Sequence, residues 1–214
     1  LLACYREKQL SGEELDQSIE RIERLKQKRP RCFKPSEPLS AHPEGPSVAA
    51  AIAREAIVTS VNRAKMQNNI IGDRSVAVIF PKISALNQQF AVESELLNEQ
   101  LFLEDELEAR GVRPETITIV GLEPSDYEIE QARVCTMTAD RTILFCYDAQ
   151  VSVGNRKLLE TVESSARGLI VVLLRDPWDE ALVKAGIPCI QAYGFRAVQL
   201  RAVLDLIFLS AHNE

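Results

Sequence analysis

The most distinctive chemistry-bearing stretch is Leu174-Arg175-Asp176-Pro177-Trp178-Asp179, which joins a fixed cation, a carboxylate, a rigid turn and the only tryptophan. Asp176 can cap a helix that Pro177 begins, because the first helical turn leaves the amide that proline lacks unpaired anyway. Arg175 can fork onto a carboxylate, and Trp178 can cover the end of a sheet or meet a partner. Tyr193-Gly194-Phe195-Arg196 offers a tight turn and two rings, for domain packing or for stacking on a sugar. Tyr147-Asp148-Ala149-Gln150 sets one carboxylate ahead of the polar loop Val151 to Asn155, where it is expected to hold loop amides rather than act as a general acid. Glu123 and Asp126 flank Ser125, and Ser125 or Asp126 is expected to cap the helix that follows.

Other chemistries lack the residues they need. Only His42 and His212 are present, so histidine-rich metal sites and an internal Ser-His-Asp triad have almost no material. Cys4, Cys32, Cys135, Cys146 and Cys189 are odd in number and widely spaced, which reads as reduced thiols instead of a disulfide framework or a zinc site. Pro81-Lys82-Ile83-Ser84 carries no glycine-rich phosphate cradle, which disfavours dinucleotide binding. Twenty-five Lys and Arg against 31 Asp and Glu give a net charge of −6, the wrong sign for neutralising nucleic-acid phosphates. The longest apolar run, Leu169 to Leu174, is far short of the roughly 20 residues that span a bilayer.

The elements that must position these residues are legible as apolar runs. Val76–Phe80, Thr116–Val120, Thr142–Tyr147, Leu169–Leu174 and Ile187–Tyr193 are nearly continuous in Val, Ile, Leu and Phe, as strands covered on both faces are. Helical stretches are expected at Val48–Val61, Glu93–Arg110, Ser125–Met137, Asn155–Arg167 and Pro177–Ala185, with a last helix carrying Leu200, Val203, Leu204, Ile207 and Phe208 on one face. Gly111, Gly168 and Gly186 are expected to close helices in the left-handed conformation. The alternation predicts a doubly wound α/β domain: a mainly parallel five-stranded sheet in the flavodoxin-like order 2-1-3-4-5, with helices on both faces. Ligand or partner sites in such sheets lie at the carboxyl ends of the strands, where Glu123, Asp148, Arg175 and Tyr193 fall.

Upstream, Ser11-Gly12-Glu13-Glu14 has the form of a capping box, and Leu15, Ile19, Ile22 and Leu25 follow at helical spacing to about Arg29. Five of the ten prolines then fall between Pro30 and Pro46, which reads as a linker. The expected organisation is a helical segment at 1–29, a proline-rich linker at 30–47 and the α/β domain at 48–214. The chain opens on Leu1, inside helical sequence, as a piece of a longer protein would; Leu1-Leu2-Ala3-Cys4 lacks the preceding regions of a lipoprotein signal. The basic series from Arg21 to Arg31 and the acidic series Glu93, Glu95, Glu99, Glu104, Asp105, Glu106 and Glu108 are read as solvated faces.

Three stretches together resemble the family 3 glycoside hydrolases, which usually join a TIM-like barrel to a flavodoxin-like sandwich. Ser11 to Lys26 resembles the barrel's last helix, Leu174 to Asp179 resembles the family's Leu-Arg-Asn-Pro-Tyr/Trp-Asp element, and Ala192-Tyr193-Gly194 with Leu200 to Phe208 resembles its closing strand and helix. The resemblance implies a retaining mechanism whose nucleophilic aspartate sits on the barrel, outside this chain. In the β-glucosidase branch the sandwich supplies an acid/base glutamate from a Gly-Glu element, whereas here Phe145-Cys146-Tyr147-Asp148 occupies that neighbourhood. The departure favours the β-N-acetylglucosaminidase branch, whose proton donor is a barrel histidine; neither His42 nor His212 has a matching context.

The expectation is therefore a non-catalytic C-terminal domain of a parent glycosidase acting on amino-sugar glycosides such as cell-wall fragments. Its partner would be the upstream barrel, with carbohydrate at the cleft edge and no cofactor or metal implied. Arg175, Asp176, Trp178 and Tyr193 are the candidates for the surface facing the barrel or cleft. The compartment implied is the cytoplasm or a bacterial cell envelope. Three alternatives stand beside it: a stand-alone carbohydrate- or protein-binding module, a domain of a β-glucosidase-type family 3 enzyme, and a sandwich that itself catalyses through Asp148, Glu123 or Asp126. The last requires two carboxylates about 5–9.5 Å apart.

Overall fold

The computed structural model describes residues 11–28, 43–60, 75–89 and 91–208. The chain divides into two compact units, Leu1–His42 and Pro43–Glu214. In the first, helix α1 (Gly12–Lys28) starts at a reciprocal capping box: the Glu14 amide donates to Ser11 Oγ at 3.1 Å and the Ser11 amide to Glu14 Oε2 at 3.3 Å. Its apolar stripe stays open, with Ile19, Ile22 and Leu25 each at least half exposed. The linker expected at 30–47 falls mostly outside the described residues, as do Cys4, Cys32, His42 and His212.

The second unit runs α2 (Gly45–Ala56), β1 (Val58–Thr59), β2 (Val76–Pro81), α3 (Glu99–Glu108), β3 (Thr116–Val120), α4 (Asp126–Thr138), β4 (Arg141–Cys146), α5 (Val153–Ser165), β5 (Leu169–Leu173), β6 (Cys189–Gln191) and α6 (Ala197–Phe208). Its sheet has the order β1-β6-β5-β4-β2-β3, parallel except at β1, which pairs antiparallel with β6. Strands β2 to β6 thus realise the flavodoxin-like order. The expected five-stranded sheet gains a sixth, edge strand where the helix from Val48 was expected to run on to Val61; α2 ends at Ala56 instead.

Alternate residues of each strand feed opposite cores, as a period of two requires. Val78, Phe80, Phe145 and Val172 pack with Leu103 of α3 and Leu204 of α6; Ile79, Leu144 and Val171 pack with Ile129 of α4 and Leu158 of α5. Burial on both faces is why these strands read as unbroken apolar runs.

Three expectations need correction. The helix expected over Glu93–Arg110 breaks into a 3-10 turn (Ser94–Leu97) and α3, because the Asn98 side chain caps the Leu101 amide at 3.2 Å. The stretch Pro177–Ala185 forms only a 3-10 turn, Pro177–Leu182. Gly111 and Gly186 are left-handed at φ 72° and 92°, but Gly168 is not: it leaves room for Arg141, whose guanidinium a Cβ there would strike.

The acidic series is also more than a solvated face. Glu99 is buried and accepts the Ser84 amide at 2.5 Å, and Glu93 accepts the Ala197 amide at 2.9 Å at the start of α6. Arg201 donates to Glu106 Oε1 and Glu95 Oε2, each at 2.6 Å, while Arg110 donates to Glu106 and Asp205. These pairs fasten α3 and the turn before it to α6.

Candidate functional site

Strands β4, β5 and β6 are neighbours, so the residues that follow them meet along one edge of the domain. Asp148 leaves β4 in the left-handed conformation, at φ 51°, which a short polar side chain tolerates better than most. Its carbonyl accepts the amides of Val151 and Ser152 at 3.1 and 2.9 Å, turning the chain toward α5. The Ser152 hydroxyl then caps α5 by accepting the Asn155 amide at 3.0 Å.

Arg175, leaving β5, donates to Asp148 Oδ2 at 2.5 Å and to the Tyr147 hydroxyl at 3.4 Å, with its guanidinium 5.9 Å from the Tyr147 ring centre. The charge of Asp148 and the Tyr147 hydroxyl raise the Arg175 pKa, so the cation is fixed. Phe195 meets Tyr147 edge-on at 6.1 Å. Asp176 caps the following turn by accepting the Trp178 amide at 2.9 Å, with Pro177 at its first position as expected.

The Asp148 carboxylate, expected to hold loop amides, goes to Arg175 instead; its backbone carbonyl takes Val151 and Ser152, and the amides of Ala149 and Gln150 fall to Asp179. Buried to 1% exposure, Asp179 accepts the Ala149 amide through Oδ2 at 3.0 Å and the Gln150 amide through Oδ1 at 2.7 Å. Burial pushes its pKa up while the two amides pull the other way. Asp179 was missed as a positioning residue because the sequence shows a second carboxylate after Trp178 without showing that it turns inward.

Beyond β5, Tyr193 leaves β6 left-handed at φ 54°, a conformation rare for a bulky residue. Its hydroxyl donates to Gln191 Oε1 at 2.5 Å, and Gln191 Nε2 donates to Glu180 Oε2 at 2.5 Å. Gln191 and Glu180, with Pro177, Trp178 and Ala181, line an open hollow of about 480 Å³, and Trp178 stands 75% exposed beside it. No sequence motif marked Gln191 or Glu180; β6 brings them together. Of the four candidates, Arg175, Trp178 and Tyr193 are exposed, while Asp176 is spent on capping.

The carboxylates considered for catalysis are already engaged. Asp148 is bound to Arg175, and Asp126 Oδ1 lies 2.6 Å from Lys157 Nζ. Glu123 accepts the Gly154 amide at 2.8 Å, and the Ser152 hydroxyl followed by that amide holds its pKa below the ordinary range. Ser125 fills the expected cap, in a full capping box with Glu128. Among the described residues no three His, Cys, Asp or Glu side chains gather as a metal site would need, and no helix is long and apolar enough to cross a membrane.

No protein-family model and no curated protein matches the chain. Solved structures do resemble it. One is a glycoside hydrolase family 3 β-N-acetylglucosaminidase from Paenibacillus sp. str. FPU-7, at TM-score 0.61 and 18% identity over 97% of this chain and 39% of that one. A fungal multi-domain family 3 β-N-acetylglucosaminidase gives TM-score 0.55 at 14% identity, over 97% of this chain and 23% of its own. A β-glucosidase from Listeria innocua gives TM-score 0.55 at 16% identity, over 97% and 32%. The chain thus has a fold found in glycoside hydrolase family 3 enzymes and spans less than half the length of each of these three.

Proposed function

We propose that this chain is the non-catalytic C-terminal α/β domain of a family 3 glycoside hydrolase, of the retaining β-N-acetylglucosaminidase type, acting on amino-sugar glycosides. Residues 1–29 would close an upstream barrel that holds the nucleophile and proton donor, and residues 48–214 would pack against it. The likeness to the Paenibacillus enzyme over 97% of the chain is the observation that carries the reading. The strand-end chemistry supports it: Asp148, where the β-glucosidase branch would use a Gly-Glu element, is bound to Arg175 and so is poorly placed to give a proton to a leaving group. The open stripe of α1, with Ile19, Ile22 and Leu25 exposed, suits a helix whose packing partner lies upstream.

The test compares hydrolysis of aryl β-N-acetylglucosaminide and aryl β-glucoside by this 214-residue chain and by the full-length protein read from its gene. Cleavage of the aminosugar substrate by the full-length protein alone is expected. Turnover by the isolated chain would overturn the reading. The likeness to the Listeria innocua β-glucosidase favours a second reading, a β-glucosidase-type parent, which a preference for the glucoside would establish. In the full-length protein, Arg175→Ala and Tyr193→Ala are expected to lower stability or kcat/KM; if both leave stability and kinetics unchanged, the strand ends do not face the barrel or the cleft.

A further inference from the structure

The hollow beside Trp178 has the parts of a saccharide subsite. An exposed indole offers an apolar face for the C–H face of a pyranose while its edge stays polar. Gln191 spends one amide hydrogen on Glu180 and one lone pair on Tyr193, so by its inventory it keeps one N–H and one lone pair. Glu180 adds carboxylate lone pairs for hydroxyl donors. The relay from Tyr193 through Gln191 to Glu180 fixes the amide's orientation, leaving little side-chain entropy to be lost on binding. Tyr193 holds its end of the relay from a left-handed backbone, a strain of the kind that persists where surrounding structure over-determines it and that clusters at ligand sites.

We infer that Trp178, Gln191 and Glu180 form a subsite for one sugar ring of an oligosaccharide. The inference rests on the glycosidase reading above and adds a binding role that uses only residues of this chain. Trp178 would stack on the ring, Gln191 would donate to one hydroxyl and accept from another, and Glu180 would accept from a third. Because all three lie on this chain, the subsite should bind without the barrel.

Trp178 is the only tryptophan, so fluorescence of the 214-residue chain reports on the hollow directly. Titration with N,N′-diacetylchitobiose is expected to change the emission saturably, and Gln191→Ala and Glu180→Gln are each expected to weaken binding about five-fold, the worth of one net hydrogen bond. Thermal melting of each variant, expected to match the parent chain, separates lost contacts from lost fold. No saturable change with either chitobiose or cellobiose, or binding untouched by both variants, overturns the subsite. Saturation by cellobiose alone supports the subsite and counts against the aminosugar reading. Aryl-glycoside hydrolysis by the full-length protein separates the two ideas: activity without binding of either disaccharide sinks the subsite alone, whereas binding without activity on either aryl sugar sinks the glycosidase reading alone.

Discussion

Gln150 donates twice to the turn that carries Asp179: its backbone amide to Asp179 Oδ1 at 2.7 Å, and its side chain to the carbonyl of Trp178 at 3.0 Å. The loop after β4 and the turn after β5 are thereby tied together, and the Asp148–Arg175 pair joins the same two segments. Asp179→Ala would leave two amides without their acceptor, and the Ala149 bond lies in the buried interior. The expected cost is about 2–4 kcal/mol, with Asp179→Asn costing less because one acceptor oxygen survives. Urea unfolding midpoints at unchanged slope test this, and an Asp179→Ala midpoint equal to the parent's would refute the latch.

Glu106 makes a pH prediction. Burial acts to raise its pKa, but the hydrogen bonds and charges of Arg110 and Arg201 outweigh burial and leave it below the ordinary 4.5. A carboxyl whose folded pKa is depressed gives stability that is present above its unfolded pKa and lost as pH falls through the folded value. Glu106→Gln is therefore expected to be less stable than the parent chain by about 1–2 kcal/mol at pH 6, since Arg110 keeps Asp205 and Arg201 keeps Glu95. The gap should narrow steadily as pH drops below 4.5. A gap that stays constant from pH 6 to about 3 would mean that the ion pairs contribute nothing.

What the sequence discloses follows from how local each signal is. Val76, Val78 and Phe80 are apolar for one core and Ile79 for the other, with Ala77 also buried, so the parallel strand shows in five consecutive letters. Ser125 and Glu128 announce the start of α4 within four residues. Strand β1 has no such signature: two residues carry no period, and its partner Ile190 lies far along the chain from Thr59. The pairing of Glu106 with Arg201 joins elements 95 residues apart, so its carboxylate reads locally as solvated. At the candidate site, Arg175, Trp178 and Tyr193 stand out by type, but the division of labour between Asp148 and Asp179 depends on which side chain turns inward. Gln191 and Glu180 become neighbours only because β6 runs beside the strand from which the Pro177 turn departs.

The close approach of α5 to the loop after β3 makes the last prediction. A Cβ at Gly154 would lie 2.7 Å from the carbonyl oxygen of Pro124 and 2.9 Å from Glu123 Oε1, the atom that accepts the Gly154 amide. A backbone oxygen cannot step aside as a side-chain tip can, so Gly154→Ala must displace the loop or the helix start. The expected cost is about 1–3 kcal/mol, the range for overpacking a tight contact. Gly45, at the start of α2, has nothing within 4 Å of its added Cβ, and Gly45→Ala is expected to be neutral or slightly stabilising through the unfolded chain. Thermal melting of the two variants side by side distinguishes steric conflict from a general intolerance of alanine for glycine, and equal shifts for both would remove the steric account. Because Glu123 Oε1 is one of the two crowded atoms, Gly154→Ala combined with Glu123→Ala should recover only part of the loss, leaving the share set by the Pro124 carbonyl.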